Sequence, residues 1–412
     1  MRGTGVAELS PRALQGALYD TTEKLAAELA APAQVAPEWS EPEWLMARAV
    51  AAIHGIAPLL GTALRWRGPE GWTRFLREET EREQRRHWQI REVLLGLDDL
   101  LQRTAIPALA LKGAALHAPG LYRPGERPMA DVDLLVRGSD FERASQALER
   151  LGFQESWRLW KNTIFSSRAG GRFSAPQWTG EHPLKIELHE RICERLPARL
   201  TDITEFVFPA DAKPGLNSYG SRHSLIAHLL LHAAGGLATR SLRLIQLHDI
   251  ALLAGIATDE DWVGTFALEP AGPAPWWAFP PLELAARYYP SRIPQWVLDR
   301  ARSGCPALLR RISTRRSLSD VSLSFPWTEA FPGIAWARSP AEALEYVARR
   351  LVSDRDEVSM RAWASKTEPG LSPGERSWLA GSQGGRILRW LVSRPARSLT
   401  MRAVRIAFGE TF

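Results

Sequence analysis

The chain has 412 residues, 45% of them hydrophobic, with a net charge of +6 and only two cysteines. That length allows two or three domains with real cores. Cys193 and Cys305 lie far apart, which excludes a disulfide framework and a paired-cysteine zinc motif. The most apolar stretch, Leu225 to Leu237, is broken by His228 and His232. A membrane span needs roughly 20 apolar residues, so no membrane partner is expected. The first residues carry Glu8 and no long apolar run, so no secretory signal is expected and the cytoplasm is the expected compartment. The seventeen tryptophans are scattered without period and read as packing residues. Positive charge gathers late, at Arg386, Arg389, Arg394, Arg397, Arg402 and Arg405, and reads as a solvated helix face.

The first hundred residues are helical in pattern. Ser10-Pro11 is an N-cap followed by proline at the first helical position. Ser40-Glu41-Pro42-Glu43 is a capping box, opening a helix that ends near Gly55. A long charged helix runs from Trp72 to Arg103, with Phe75, Leu76, Val93, Leu94, Leu97 and Leu101 on its buried side.

At Ile106 the pattern changes. I-P-A-L-A-L-K-G reads as a buried strand ending at glycine, followed by a short helix from Ala114 to Tyr122. Asp131 to Val136 is the next strand. Ser139 to Glu142 has the form of a capping box, and its helix stops at Gly152. Further strand-like pieces fall at Thr163–Ser167, Arg172–Ala175 and Leu184–Glu190. Helical periods return at Ser221–Ala234, Arg243–Leu253, Ser339–Leu351 and Ser372–Ala380, with a Pro-rich connection at 269–281. The expected organisation is a helical region over 1–104, a β-containing core over 105–208, and a mainly helical region over 209–412.

The chemistry-bearing residues lie in that core. Strand alternation puts Asp131 and Asp133 on one face and Val132 and Leu134 on the other. Two carboxylates so close repel each other, and a bound divalent cation removes the repulsion. Downstream, L-K-I-E-L-H-E repeats the alternation, with Lys185, Glu187 and His189 on one face. A third acid on a neighbouring strand is what two-metal phosphoryl chemistry needs. Upstream, the turn at Lys112-Gly113 before a helix has the makings of an anion site. Arg123 and Arg127, in the Pro/Gly loop before the acids, carry forks suited to phosphate oxygens. His228 and His232 have the spacing of a zinc pair, but the leucines around them and the lack of an intervening Glu favour core packing. Asp249 reads as a hydrogen-bond partner for a helix end or a histidine.

L-K-G-A-A-L, then L-Y-R-P-G-E-R-P-M-A-D-V-D-L-L-V, a helix ending L-G-F, and K-I-E-L-H together resemble the bacterial nucleotidyltransferases of the DNA polymerase β-like superfamily. The resemblance covers roughly residues 105–255. It implies an α+β fold, with a small mixed sheet flanked by N- and C-terminal helices. It implies Asp131, Asp133 and Glu187 as catalytic metal ligands for Mg²⁺ or Mn²⁺. Lys112, Gly113, Arg123, Arg127, Lys185 and His189 become the expected nucleotide-binding residues. The implied reaction moves a nucleoside monophosphate from an NTP, with ATP the first candidate, to an acceptor and releases pyrophosphate. A small molecule, a peptide or a protein all remain open as acceptor, and long nucleic acid is not expected. The sequence departs from the superfamily pattern at Ala114, where a serine or glycine usually follows the glycine. A competing expectation is a binding or regulatory protein that kept the fold and lost turnover. A third is two-metal phosphoester hydrolysis.

Overall fold

The computed structural model of the chain describes residues 11–117, 120–167, 184–197, 199–268, 275–322 and 333–351, with isolated residues around 331, 358 and 381–388. The expected strand at Arg172–Ala175, the helix at Ser372–Ala380 and residues 269–274 of the Pro-rich connection lie outside them. So do all the late arginines except Arg386, which is buried.

The helices α1 (Pro11–Ala30), α2 (Glu41–Ile53), α3 (Ala57–Ala63) and α4 (Glu70–Arg103) come first. The Ser40 box forms as expected: the Ser40 N–H donates to Glu43 Oε2 at 2.8 Å. Trp44 packs against Trp39, Trp66 and Trp72 with ring centroids 5.0–6.0 Å apart, so these tryptophans are packing residues.

The central sheet is built from β1 (Pro107–Ala110), β2 (Asp131–Val136), β3 (Phe153–Arg158), β4 (Asn162–Ser167), β5 (Lys185–His189) and β8 (Gly215–Asn217). Its order is β3-β4-β5-β2-β1-β8. β2 runs parallel to β5 and antiparallel to β1, which makes the sheet mixed and the fold α+β. A separate ribbon pairs β6 (Cys193–Leu196) with β7 (Arg199–Asp202). The helices among and after these strands are α5 (Lys112–His117), α6 (Phe141–Arg150), α7 (Thr204–Val207), α8 (Arg222–Thr239), α9 (Leu244–Ala254), α10 (Asp259–Phe266), α11 (Phe279–Tyr288), α12 (Gln295–Gly304), α13 (Ala307–Ser313), α14 (Leu318–Val321) and α15 (Pro340–Leu351).

Two helix ends differ from expectation. α5 starts two residues early and stops at His117 rather than running to Tyr122. α6 has no side-chain cap: a short 3₁₀ turn, Gly138–Asp140, leads into it instead.

The sheet separates two cores. Val132, Leu134, Val136, Ile186 and Leu188 pack on one face against Ile90, Val93 and Leu97 of α4 and Phe141 and Leu148 of α6. On the other face Leu109 and Leu135 join a larger core, which unites α1 to α3 with the helices after residue 209. The N- and C-terminal helices therefore share one packed interior. Its apolar burial is the main force holding the back of the sheet against α8 and α9.

Among the described residues no single helix is long and apolar enough to cross a membrane. α2 and α3 together approach the length, but they are bent by 111°.

Candidate functional site

The parallel register of β2 and β5 brings the acids together. Asp131 pairs with Lys185, Asp133 with Glu187, and Leu135 with His189. Both strands alternate as expected, so Asp133, Glu187 and His189 emerge on the face opposite the α4/α6 core. One ligand atom from each of these three lies within 4.8 Å of the others. The ring of His189 reaches Asp133 Oδ1 through Nε2 at 3.0 Å and approaches Glu187 Oε2 at 3.7 Å.

Lys112 completes the cluster. Its ammonium donates to Asp133 Oδ1 at 2.7 Å. Its backbone is left-handed, with φ +45°, a conformation that costs a non-glycine residue on the order of 1–3 kcal/mol. Gly113 is the residue expected beneath the nucleotide phosphates. The structure puts the unusual φ at Lys112 and gives Gly113 a different task. A Cβ on Gly113 would strike Arg127 Nη1 and come within 3.0 Å of Met129. Here glycine makes room for protein atoms.

The electrostatics divide the acids. Burial pushes Asp133 toward neutrality, but Lys112 and His189 outweigh it and hold its carboxyl well below the usual range. Burial also opposes ionisation of Glu187, and His189 again tips it downward. In return, the carboxylates overcome burial at His189 and raise its pKa. Asp131 has no hydrogen-bond or ion-pair partner among the described residues. Burial, then Asp133, then Glu187 push it up to about 7. The site thus contains one acid without a direct partner beside four groups that compensate one another.

The remaining expected residues are spread differently. Arg127 is drawn away from the acids into an ion pair with Asp249, with only 10% of its side chain exposed. Asp249 binds Arg127 and the Tyr122 hydroxyl rather than a helix end or a histidine. Arg123 is exposed and its N–H donates to Glu126 at 2.8 Å. Lys185 is exposed at the start of β5. His228 and His232 take different partners. His228 Nδ1 lies 2.6 Å from the Tyr219 hydroxyl, and His232 Nδ1 lies 3.3 Å from Glu194.

Three residues near the site escaped sequence reasoning. Asn162, the first residue of β4, donates its side-chain amide to Glu187. Arg243, exposed just before α9, acts electrostatically on Asp131. Glu194, on β6, is held ionised with a pKa of about 2: burial opposes this, and Lys161 and His232 prevail. None had a local signal. The register of β4 on β5 and the packing of α8 and α9 on the sheet bring them in.

Two carboxylates and an imidazole converging within one coordination radius, with a third acid without a direct partner beside them, fit a divalent cation. A model of nucleotidyltransferase sequences matches residues 40–267, more than half of the chain. The chain belongs to that family, which is described as uncharacterised nucleotidyltransferase. No curated protein and no solved structure matches it.

Proposed function

We propose that the chain is a metal-dependent nucleotidyltransferase. It transfers a nucleoside monophosphate from an NTP, with ATP the first candidate, to an acceptor that is a small molecule, a peptide or a protein. The observation that carries this reading is the Asp133–Glu187 register across two parallel strands, with His189 and Asp131 beside it, in a member of this family. Asp131, Asp133, Glu187 and His189 would hold Mg²⁺ or Mn²⁺, which supplies Lewis-acid polarisation of the phosphate and alignment of the acceptor.

The chain's own groups do the rest. The acceptor's nucleophilic atom bonds to the α-phosphorus as the bond to the bridging oxygen breaks. Pyrophosphate leaves and the acceptor's proton is released to solvent. Lys112 and Arg243 are the cations placed to offset the charge that develops on the phosphate oxygens. Asn162 fixes the Glu187 carboxylate, so less of its motion has to be frozen during reaction.

The test is incubation with Mg²⁺ or Mn²⁺, a cell extract and each NTP labelled in its α-phosphate. Label should pass to an acceptor with the wild type and not with Asp133→Asn. Equal labelling by the two proteins would overturn the assignment. One observation favours the second reading, a nucleotide-binding protein without turnover: Lys112 already neutralises Asp133. That reading predicts nucleotide binding with no label transferred.

A further inference from the structure

A pocket opens beside the acid cluster and shares Lys112 and His189 with it. It is a small concave space, part of it open to solvent. Its other walls come from Lys161 before β4, Arg191 after β5, Glu194 on β6, and His228 and His232 on α8.

Nearly every polar group that lines it is a donor. Glu194 is the one acid, and it is already occupied by Lys161 Nζ at 3.1 and 3.3 Å and by His232 Nδ1 at 3.3 Å. Gly235 on α8 leaves it room, since a Cβ there would fall 2.7 Å from its carboxylate. Lys112 is balanced by Asp133. Arg191 is exposed and has no ion pair among the described residues. The Tyr219 hydroxyl takes the Lys112 N–H at 3.5 Å, and among the described residues only His228 Nδ1 is there to accept its proton. The Nε2 of that ring therefore carries the hydrogen. Lys161 and Arg191 against Glu194 leave one positive charge over, beside an N–H donor and next to the acids.

Resting on the nucleotidyl-transfer reading, we infer that this pocket binds a phosphate group of a substrate through Arg191, Lys161 and His228. Arginine and lysine around a concave, partly buried space match the charge and the acceptor-only chemistry of phosphate oxygens. The phosphate comes either from the nucleotide or from the acceptor.

The probes are inorganic phosphate and pyrophosphate, titrated calorimetrically into the full chain in EDTA. Wild type should bind pyrophosphate saturably, and Arg191→Ala should weaken it about tenfold. Lys161→Ala should weaken it similarly. Because that change leaves Glu194 with one partner fewer, a thermal melt checks that the variant folds, and Lys161→Arg should restore binding. A repeat with saturating NTP separates the sources. Competition assigns the pocket to the nucleotide's phosphates, and simultaneous binding assigns it to a phosphate on the acceptor. No binding by wild type, or equal binding by Arg191→Ala, overturns the inference. The readout needs neither metal nor turnover. A pocket that binds in a protein that transfers no label would sink the transfer reading alone.

Discussion

Arg127 holds Asp249 with two nitrogens, Nε at 2.9 Å from Oδ1 and Nη2 at 2.7 Å from Oδ2, while the Tyr122 hydroxyl donates to Oδ1 at 2.6 Å. The pair is buried on both sides and joins the loop before β2 to α9. Removing one partner strands the other charge in the interior. Asp249→Ala should therefore cost about 3–5 kcal/mol, more than either residue's packing would suggest. Urea unfolding checks this, and a loss under about 1 kcal/mol would mean that solvent reaches Arg127.

Gly113 touches the same arrangement from below. Gly113→Ala puts a methyl group where Arg127 Nη1 and Met129 lie, and the guanidinium has no slack while it holds Asp249. Overpacking of this kind costs about 1–3 kcal/mol. In a double mutant with Asp249→Ala the two losses should fall short of their sum, because the second change frees Arg127 to move.

Asp131 should behave in the opposite way. Its pKa, raised to about 7 from an ordinary 3.8, means that the folded chain keeps a proton the unfolded chain has lost. Stability therefore falls as pH rises from about 4 to about 7. Asp131→Asn removes that penalty and should stabilise the metal-free protein at pH 8 by about 1–2 kcal/mol, after allowance for solvent screening. The same substitution should shrink the rise in melting temperature produced by Mn²⁺. Melts with and without the ion read both effects, and a loss of stability in EDTA would refute the first.

Buried neutral histidines set the acid limit of the fold. Burial lowers His54 to about 3 and His232 and His248 to about 4, from an ordinary 6.5. The unfolded chain takes up protons that the folded chain refuses, so stability is lost as pH falls below 6.5. His54 alone accounts for about 2 kcal/mol by pH 5. His54→Gln keeps an acceptor for the Leu244 N–H, which His54 Nδ1 takes at 3.0 Å. The variant should lose less stability than wild type between pH 7 and pH 5, measured by urea midpoints. Parallel pH curves for the two would show that His54 is not the source.

Local pattern reaches a long way in this chain. D-V-D-L and K-I-E-L-H alternate, and in the strands they form Val132, Leu134, Ile186 and Leu188 enter one core while the acids face the other way. The Ser40 box and the span of α4 were equally legible, since caps and periodicity act over a few residues. β3, β6, β7 and β8 were not. F-Q-E-S-W-R is mostly exposed at the sheet edge, and C-E-R-L, R-L-T-D and G-L-N are too short and polar to carry a period. β3 and β6 pair with their chain neighbours β4 and β7 in tight hairpins, and only β8 takes a distant partner, β1.

The same boundary runs through the site. Sequence alone determined that Asp131 and Asp133 share a face, that Glu187 and His189 share another, and that helices flank the strands, because those properties follow from the pitch of a strand or a helix. Only the tertiary structure decided that Glu187 lies beside Asp133, that Lys112 and His189 neutralise that acid while Asp131 stays alone, and that Arg127 belongs to Asp249. Each of those depends on which strand lies next to which and on where the helices after residue 209 pack. Interactions across long sequence separations fix that arrangement, and no local spacing encodes them.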